Sequence, residues 1–122
     1  MMSSSEKYTI YFGDGCPMKY NKHDIEEIWS REACKAALES GISISAAISE
    51  ATVICNESSA CTMGELIRYI RVVCIRNPVF CTDAREFRTI LMEIAWNVKQ
   101  ELGEIYLAVA EEEVKFTYFT KR

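Results

Sequence analysis

Near the N-terminus, Tyr8, Ile10 and Phe12 alternate with Thr9 and Tyr11, the period-2 pattern of a strand with one buried face. Gly13-Asp14-Gly15-Cys16-Pro17 ends it, because glycine and proline punctuate regular structure. Asn21 then offers a side chain to the free N–H groups of a helix start, with Asp24 three residues on. Ile25, Ile28, Trp29 and Ala36 fall on one helical face, and Ser40-Gly41 marks the stop. Ile44, Ala47, Ile48, Ala51 and Ile54 recur at helical spacing and predict a second helix over 43–55. The β-branched content of Thr52 to Cys55 makes a strand there the competing reading.

Residues 56–60 read as a loop, and Thr62-Met63-Gly64-Glu65 has the form of a capping box. A third helix is predicted behind it, burying Leu66, Ile67, Ile70, Val73 and Cys74 and stopping at Asn77-Pro78. A fourth is marked by Asp83 and Glu86 at its start, by the stripe Phe87, Ile90, Leu91, Ile94 and Val98, and by Gly103 at its end. The period then changes back to two. Ile105, Leu107 and Val109, then Val114, Phe116 and Tyr118, flank the polar run Glu111-Glu112-Glu113 and predict a hairpin. The competing reading continues residues 104–113 as helix, since Glu, Leu and Ala favour it.

A two-stranded hairpin is marginal alone, so the N-terminal strand is expected to join it. The predicted architecture is α+β: about four helices packed on a small, mostly antiparallel sheet of N-terminal strand plus C-terminal hairpin. Residues 1–6 are expected to form a flexible tail and residues 7–122 a single domain.

At 122 residues and 49% hydrophobic, the chain can bury one sizeable core. No apolar run approaches the ~20 residues of a membrane helix. A net charge of −4 disfavours general nucleic-acid binding and suits a basic protein partner. Six cysteines, at positions 16, 34, 55, 61, 74 and 81, form no C-x-x-C pair, and His23 is the one histidine. No zinc or thioredoxin-like motif is present, and no cofactor or metal is expected. With no apolar segment behind Met1-Met2-Ser3-Ser4-Ser5, the expected setting is cytoplasmic, with reduced thiols.

Candidate chemistry is sparse. Cys16 and His23 make the one nucleophile–base pair that can be drawn, and a thiolate needs such a neighbour. A turn cysteine and a surface histidine explain the same residues. Glu32 falls among Ile25, Ile28, Trp29 and Ala36, so it is a carboxylate paired with an arginine of another helix, one on a wet edge of a rotated helix, or a buried functional one. Arg68, Arg71, Arg76, Arg85 and Arg88 concentrate positive charge, as a phosphate site or as a face laced with ion pairs. Glu101, Glu104, Glu111, Glu112 and Glu113, with Asp24, Glu26 and Glu27, could make an acidic docking face, with Tyr118 and Phe119 as aromatic anchors.

These features point to an acidic cytosolic protein-binding module, a stoichiometric inhibitor or immunity-type neutraliser of a basic partner such as a nuclease toxin. In size and charge the chain resembles toxin-immunity and antitoxin proteins, with no motif that marks a family. The alternatives are a thiol-dependent enzyme using Cys16 and His23, and a virus-encoded or host regulatory adaptor.

Overall fold

The computed structural model describes residues 2–13, 20–55, 65–103 and 105–121, with the backbone alone for residues 2, 53–55 and 65–68. Its elements run β1 (Met2–Gly13), α1 (Lys22–Ser40), β2 (Ala47–Cys55), β3 (Glu65–Ile75), α2 (Ala84–Leu102) and β4 (Tyr106–Thr117). The strands form one sheet in the order β2-β3-β1-β4, with every neighbouring pair antiparallel. This is a doubled split βαβ unit of the ferredoxin-like kind. β1 and β2 finish at the end of the sheet where β3 and β4 begin.

Two helices are present among the described residues, and not the four expected. The second and third predicted helices are the strands β2 and β3. In β3 the buried positions are Ile70, Val72 and Cys74, an alternation of two that the helical stripe through Val73 obscured. The composition agrees: Ile, Val and Thr fit a pleated surface and lose rotamer freedom in a helix. A tertiary demand decides the matter, since the two terminal strands would be marginal without partners. β3 bonds to β1 on one side and to β2 on the other, and so completes the sheet.

The small antiparallel sheet uniting the N-terminal strand with the C-terminal segment is present. That segment runs unbroken as β4, paired with β1 from Tyr106 to Thr117, so Glu111, Glu112 and Glu113 are strand residues and not a hairpin tip. The expected tail is also strand: residues 2–6 pair with 113–117, and Ser5 is buried.

α1 and α2 occupy the spans that their apolar stripes mark. Asn21 accepts from the Asp24 N–H at 2.9 Å while the Asp24 carboxylate accepts from the Asn21 N–H at 3.0 Å, closing the capping box. Asp83 caps α2 by accepting from the Glu86 N–H at 3.0 Å. Gly41 ends α1 at φ 78°, a left-handed conformation that costs any side chain with a Cβ about 1–2 kcal/mol. Gly41→Ala is therefore expected to lower the unfolding free energy by about 1 kcal/mol, read as a lower urea midpoint at an unchanged slope.

Both helices pack on one face of the sheet. Ile25, Trp29, Phe87, Leu91, Ile94 and Val98 meet Tyr8, Ile10, Phe12, Ile70, Val72 and Cys74 there. Phe12 and Trp29 meet edge to face at 6.5 Å between ring centres. Among the described residues, no helix is long and apolar enough to cross a membrane.

Candidate functional site

The helices cover one face of the sheet, and alternation dictates what the other presents. With Tyr8, Ile10 and Phe12 turned toward the helices, Thr9, Tyr11 and Gly13 face the opposite way. The register adds Tyr69, Arg71 and Val73 from β3, Ala47, Ser49 and Ala51 from β2, and Tyr106, Ala108 and Ala110 from β4.

Tyr11 and Tyr69 meet edge to face at 6.1 Å, with their rings at 80°. Tyr106 lies directly opposite Gly13 on the same face and is largely exposed, so three tyrosines share that face. Arg71 stands opposite Tyr11 on one side and Ser49 on the other. Its Nε and Nη2 each donate to Ser49 Oγ at 3.3 Å. Tyr11, Tyr69, Arg71 and Ser49 are all half-buried, while Ala108 and Ala110 keep the floor toward β4 low and exposed. Lys7 and Glu112 pair at 3.7 Å on the same face, nearer the start of β1. The result is a shallow aromatic surface with a guanidinium set into it. It suits a planar, partly charged ligand that carries an anionic group.

The arginines predicted as one cluster are dispersed. Arg71 is on the open face, and Arg85 is exposed on α2. The Arg68 side chain lies outside the described residues. Arg88 Nε donates to Glu111 Oε2 at 3.1 Å. Arg76, only 6% exposed, holds Glu6 through two bonds of 2.7 and 3.1 Å and donates to the Cys81 carbonyl at 2.9 Å. The bonds to Glu6 raise the Arg76 pKa above its ordinary value. Close by, burial and then the charges of Glu111 and Glu6 push Tyr8 up to about 12. This cluster ties β1, β3 and the approach to α2 together, and it serves the fold.

The proposed docking residues do not gather on one surface either. Glu111 is held by Arg88 and Glu112 by Lys7. Glu113 is exposed in β4 opposite Glu6, and Glu101 pairs with Arg31. Asp24 is used in the cap, and Glu26 and Glu27 are exposed on α1. Tyr118 packs edge to face on Phe80 at 5.5 Å, and Phe119 is 84% exposed. Glu32 lies 3.7 Å from Arg31 and lines the seam between the helices with Ala36 and Ile90. His23 is exposed in the first turn of α1, whereas Cys16 and Glu104 lie outside the described residues. Cys34, Cys74 and Cys81 are free thiols.

Sequence reasoning missed the open-face set. Tyr11, the spacing Tyr69-x-Arg71 and Tyr106 share a face only when all are read at period two. The helical reading of β3 placed Arg71 beside Arg68 instead.

The sequence model of the SAM lyase family matches residues 3–120, nearly the whole chain. The chain belongs to the SAM lyase family. Among solved structures, a phage SAM lyase in its apo state is similar at 10% identity and a TM-score of 0.56, over 98% of this chain and 94% of that one. At that identity the likeness shows a common fold. A phage SAM lyase in complex with S-methyl-5′-thioadenosine is similar at 12% identity and a TM-score of 0.49, over 93% of this chain and 90% of that one. No curated protein matches significantly.

Membership in an enzyme family overturns the expected role as an inhibitor, immunity-type neutraliser or antitoxin, and with it the adaptor reading. The thiol-enzyme alternative agrees with the family in being an enzyme, while its Cys16–His23 pair is not tested, since Cys16 lies outside the described residues. Small size and acidity misled because they are shared by many unrelated soluble proteins.

Proposed function

We propose that this protein cleaves S-adenosylmethionine without water and does so on the open face of its sheet. The observation that carries this reading is the family match across residues 3–120. The aromatic face supports the location: a sulfonium is attracted to the faces of tyrosine rings, and adenine can stack on the same rings.

The substrate's own chemistry limits what the protein must supply. Its sulfur is already cationic, so when the bond to the methionine Cγ breaks, the electron pair goes to sulfur and neutral S-methyl-5′-thioadenosine leaves. No acid is needed to protonate that leaving group. The remaining four-carbon fragment has two exits. Its carboxylate can close on Cγ to give homoserine lactone, or Cβ can give up a proton to give 2-amino-3-butenoate.

The lactone route requires no base from the protein. Among the described side chains of that face Glu112 is the carboxylate and pairs with Lys7 at 3.7 Å, and the lactone route is the one proposed. Holding the chain folded with its carboxylate near Cγ would make the attack intramolecular, an advantage of up to about 7–11 kcal/mol for well-oriented groups.

The test is incubation of the purified protein with S-adenosylmethionine in water of heavy oxygen, with products read by mass spectrometry. The expected result is S-methyl-5′-thioadenosine with unlabelled homoserine lactone. Heavy oxygen at Cγ would show hydrolysis, and an intact substrate after prolonged incubation would show no cleavage. Either overturns the reading.

A further inference from the structure

From the donor edge of Arg71 that no described residue engages, we infer that this guanidinium binds the α-carboxylate of the substrate's amino-acid end. The inference rests on the function proposed above and assigns the group that selects for the methionine portion.

Arginine carries five N–H donors in a fixed fork. In Arg71, Nε and Nη2 are turned toward Ser49 Oγ, which orients the group, and no described residue engages the edge between Nη1 and Nη2. That edge has the geometry of a bidentate carboxylate bond. The other arginines argue by contrast. Arg31, Arg76 and Arg88 each pair with a glutamate. Arg85 is exposed to water. Among the described residues, Arg71 is the half-buried arginine with no carboxylate within ion-pairing distance. A partly desolvated cation is costly without a counter-charge, and an anionic ligand would supply one.

Placement fits the same role. β3 is an interior strand bonded on both sides, so the Arg71 backbone is held rigidly. Tyr11 lies directly across from it and Tyr69 two residues along on the same face. A ligand resting on the tyrosines would reach the guanidinium with an anionic arm, and Ala51 and Ala108 place no bulk in the way. The Ser49 hydroxyl sets the fork's orientation.

The experiment compares two unreactive probes by calorimetry: S-adenosylhomocysteine, which keeps the carboxylate, and its decarboxylated counterpart, which lacks it. The wild type should prefer the first by about ten- to hundredfold, the range for a charge-assisted bond. Arg71→Gln should bring that preference close to unity and raise KM for S-adenosylmethionine by about the same factor. Arg71→Lys, with charge but no fork, should fall between. Arg71→Met keeps the apolar stem and serves if the glutamine variant melts early; it should also lose the preference. An unchanged preference in a folded Arg71 variant, in a wild type that cleaves the substrate, overturns this assignment alone. A wild type that neither cleaves nor binds these compounds overturns the proposed function, and this inference with it.

Discussion

Replacing Arg76 with alanine is expected to lower the unfolding free energy by about 3–5 kcal/mol, enough to remove much of a small domain's stability. The reason is asymmetric. Arg76 is 6% exposed and holds both oxygens of Glu6, so deletion loses two charge-assisted bonds and leaves a mostly buried carboxylate without its partner. The bond to the Cys81 carbonyl goes as well, loosening the turn that leads to the Asp83 cap of α2. The backbone bond from the Arg76 N–H to the Glu6 carbonyl survives, so the strand register should persist. Urea unfolding of the wild type, Arg76→Ala, Glu6→Gln and the double variant measures this. The single variants should cost more in sum than the double variant does, because the second change removes the orphaned charge. A loss below about 1 kcal/mol for Arg76→Ala would mean that water reaches the pair freely.

Alkaline pH should destabilise the protein from about 9 upward, with Cys74 as the main cause. Burial pushes the Cys74 thiol from 9.0 up to about 12. Between those values an unfolded chain has released the proton while the folded chain retains it. The unfolded state then binds fewer protons, so stability falls as pH rises. The contribution is fully present below pH 9 and is lost on the way to 12, and three units correspond to about 4 kcal/mol. Tyr8 adds to the same slope, its hydroxyl pushed from 10.0 to about 12 by burial and then by Glu111 and Glu6. Cys74→Ala should cost about 1 kcal/mol at neutral pH, for a small cavity, and should lose markedly less than the wild type between pH 9 and 11. Denaturation midpoints at several pH values measure the slopes. Parallel slopes for variant and wild type would show that the thiol titrates as freely in the fold as outside it.

Sequence and structure agree where local signals were redundant. Asn21 and Asp24 close a capping box, Gly41 supplies a left-handed stop, and a stripe from Phe87 to Val98 faces the core. For β2 and β3, several apolar residues stand at spacings that satisfy a helix and a strand alike. Choosing the helix there inflated the helical count and moved Arg71 to the wrong company. The hairpin expected at Glu111 to Glu113 followed from reading a run of charge as a turn. In β4 the charges are tolerated because Lys7 and Arg88 receive two of them.

The sequence by itself determined the strand through Tyr8, Ile10 and Phe12, both of the described helices with their caps, and the α+β class. Each of these depends on interactions within a few residues, which spacing and side-chain type report directly. The tertiary structure alone decided that residues 65–75 are an inner strand, that 106–117 run without a turn, and that Tyr11, Tyr69, Arg71 and Tyr106 share the face opposite the two described helices. Those facts depend on hydrogen bonds between strands far apart in the chain, and a one-residue change of register would send every side chain to the opposite face.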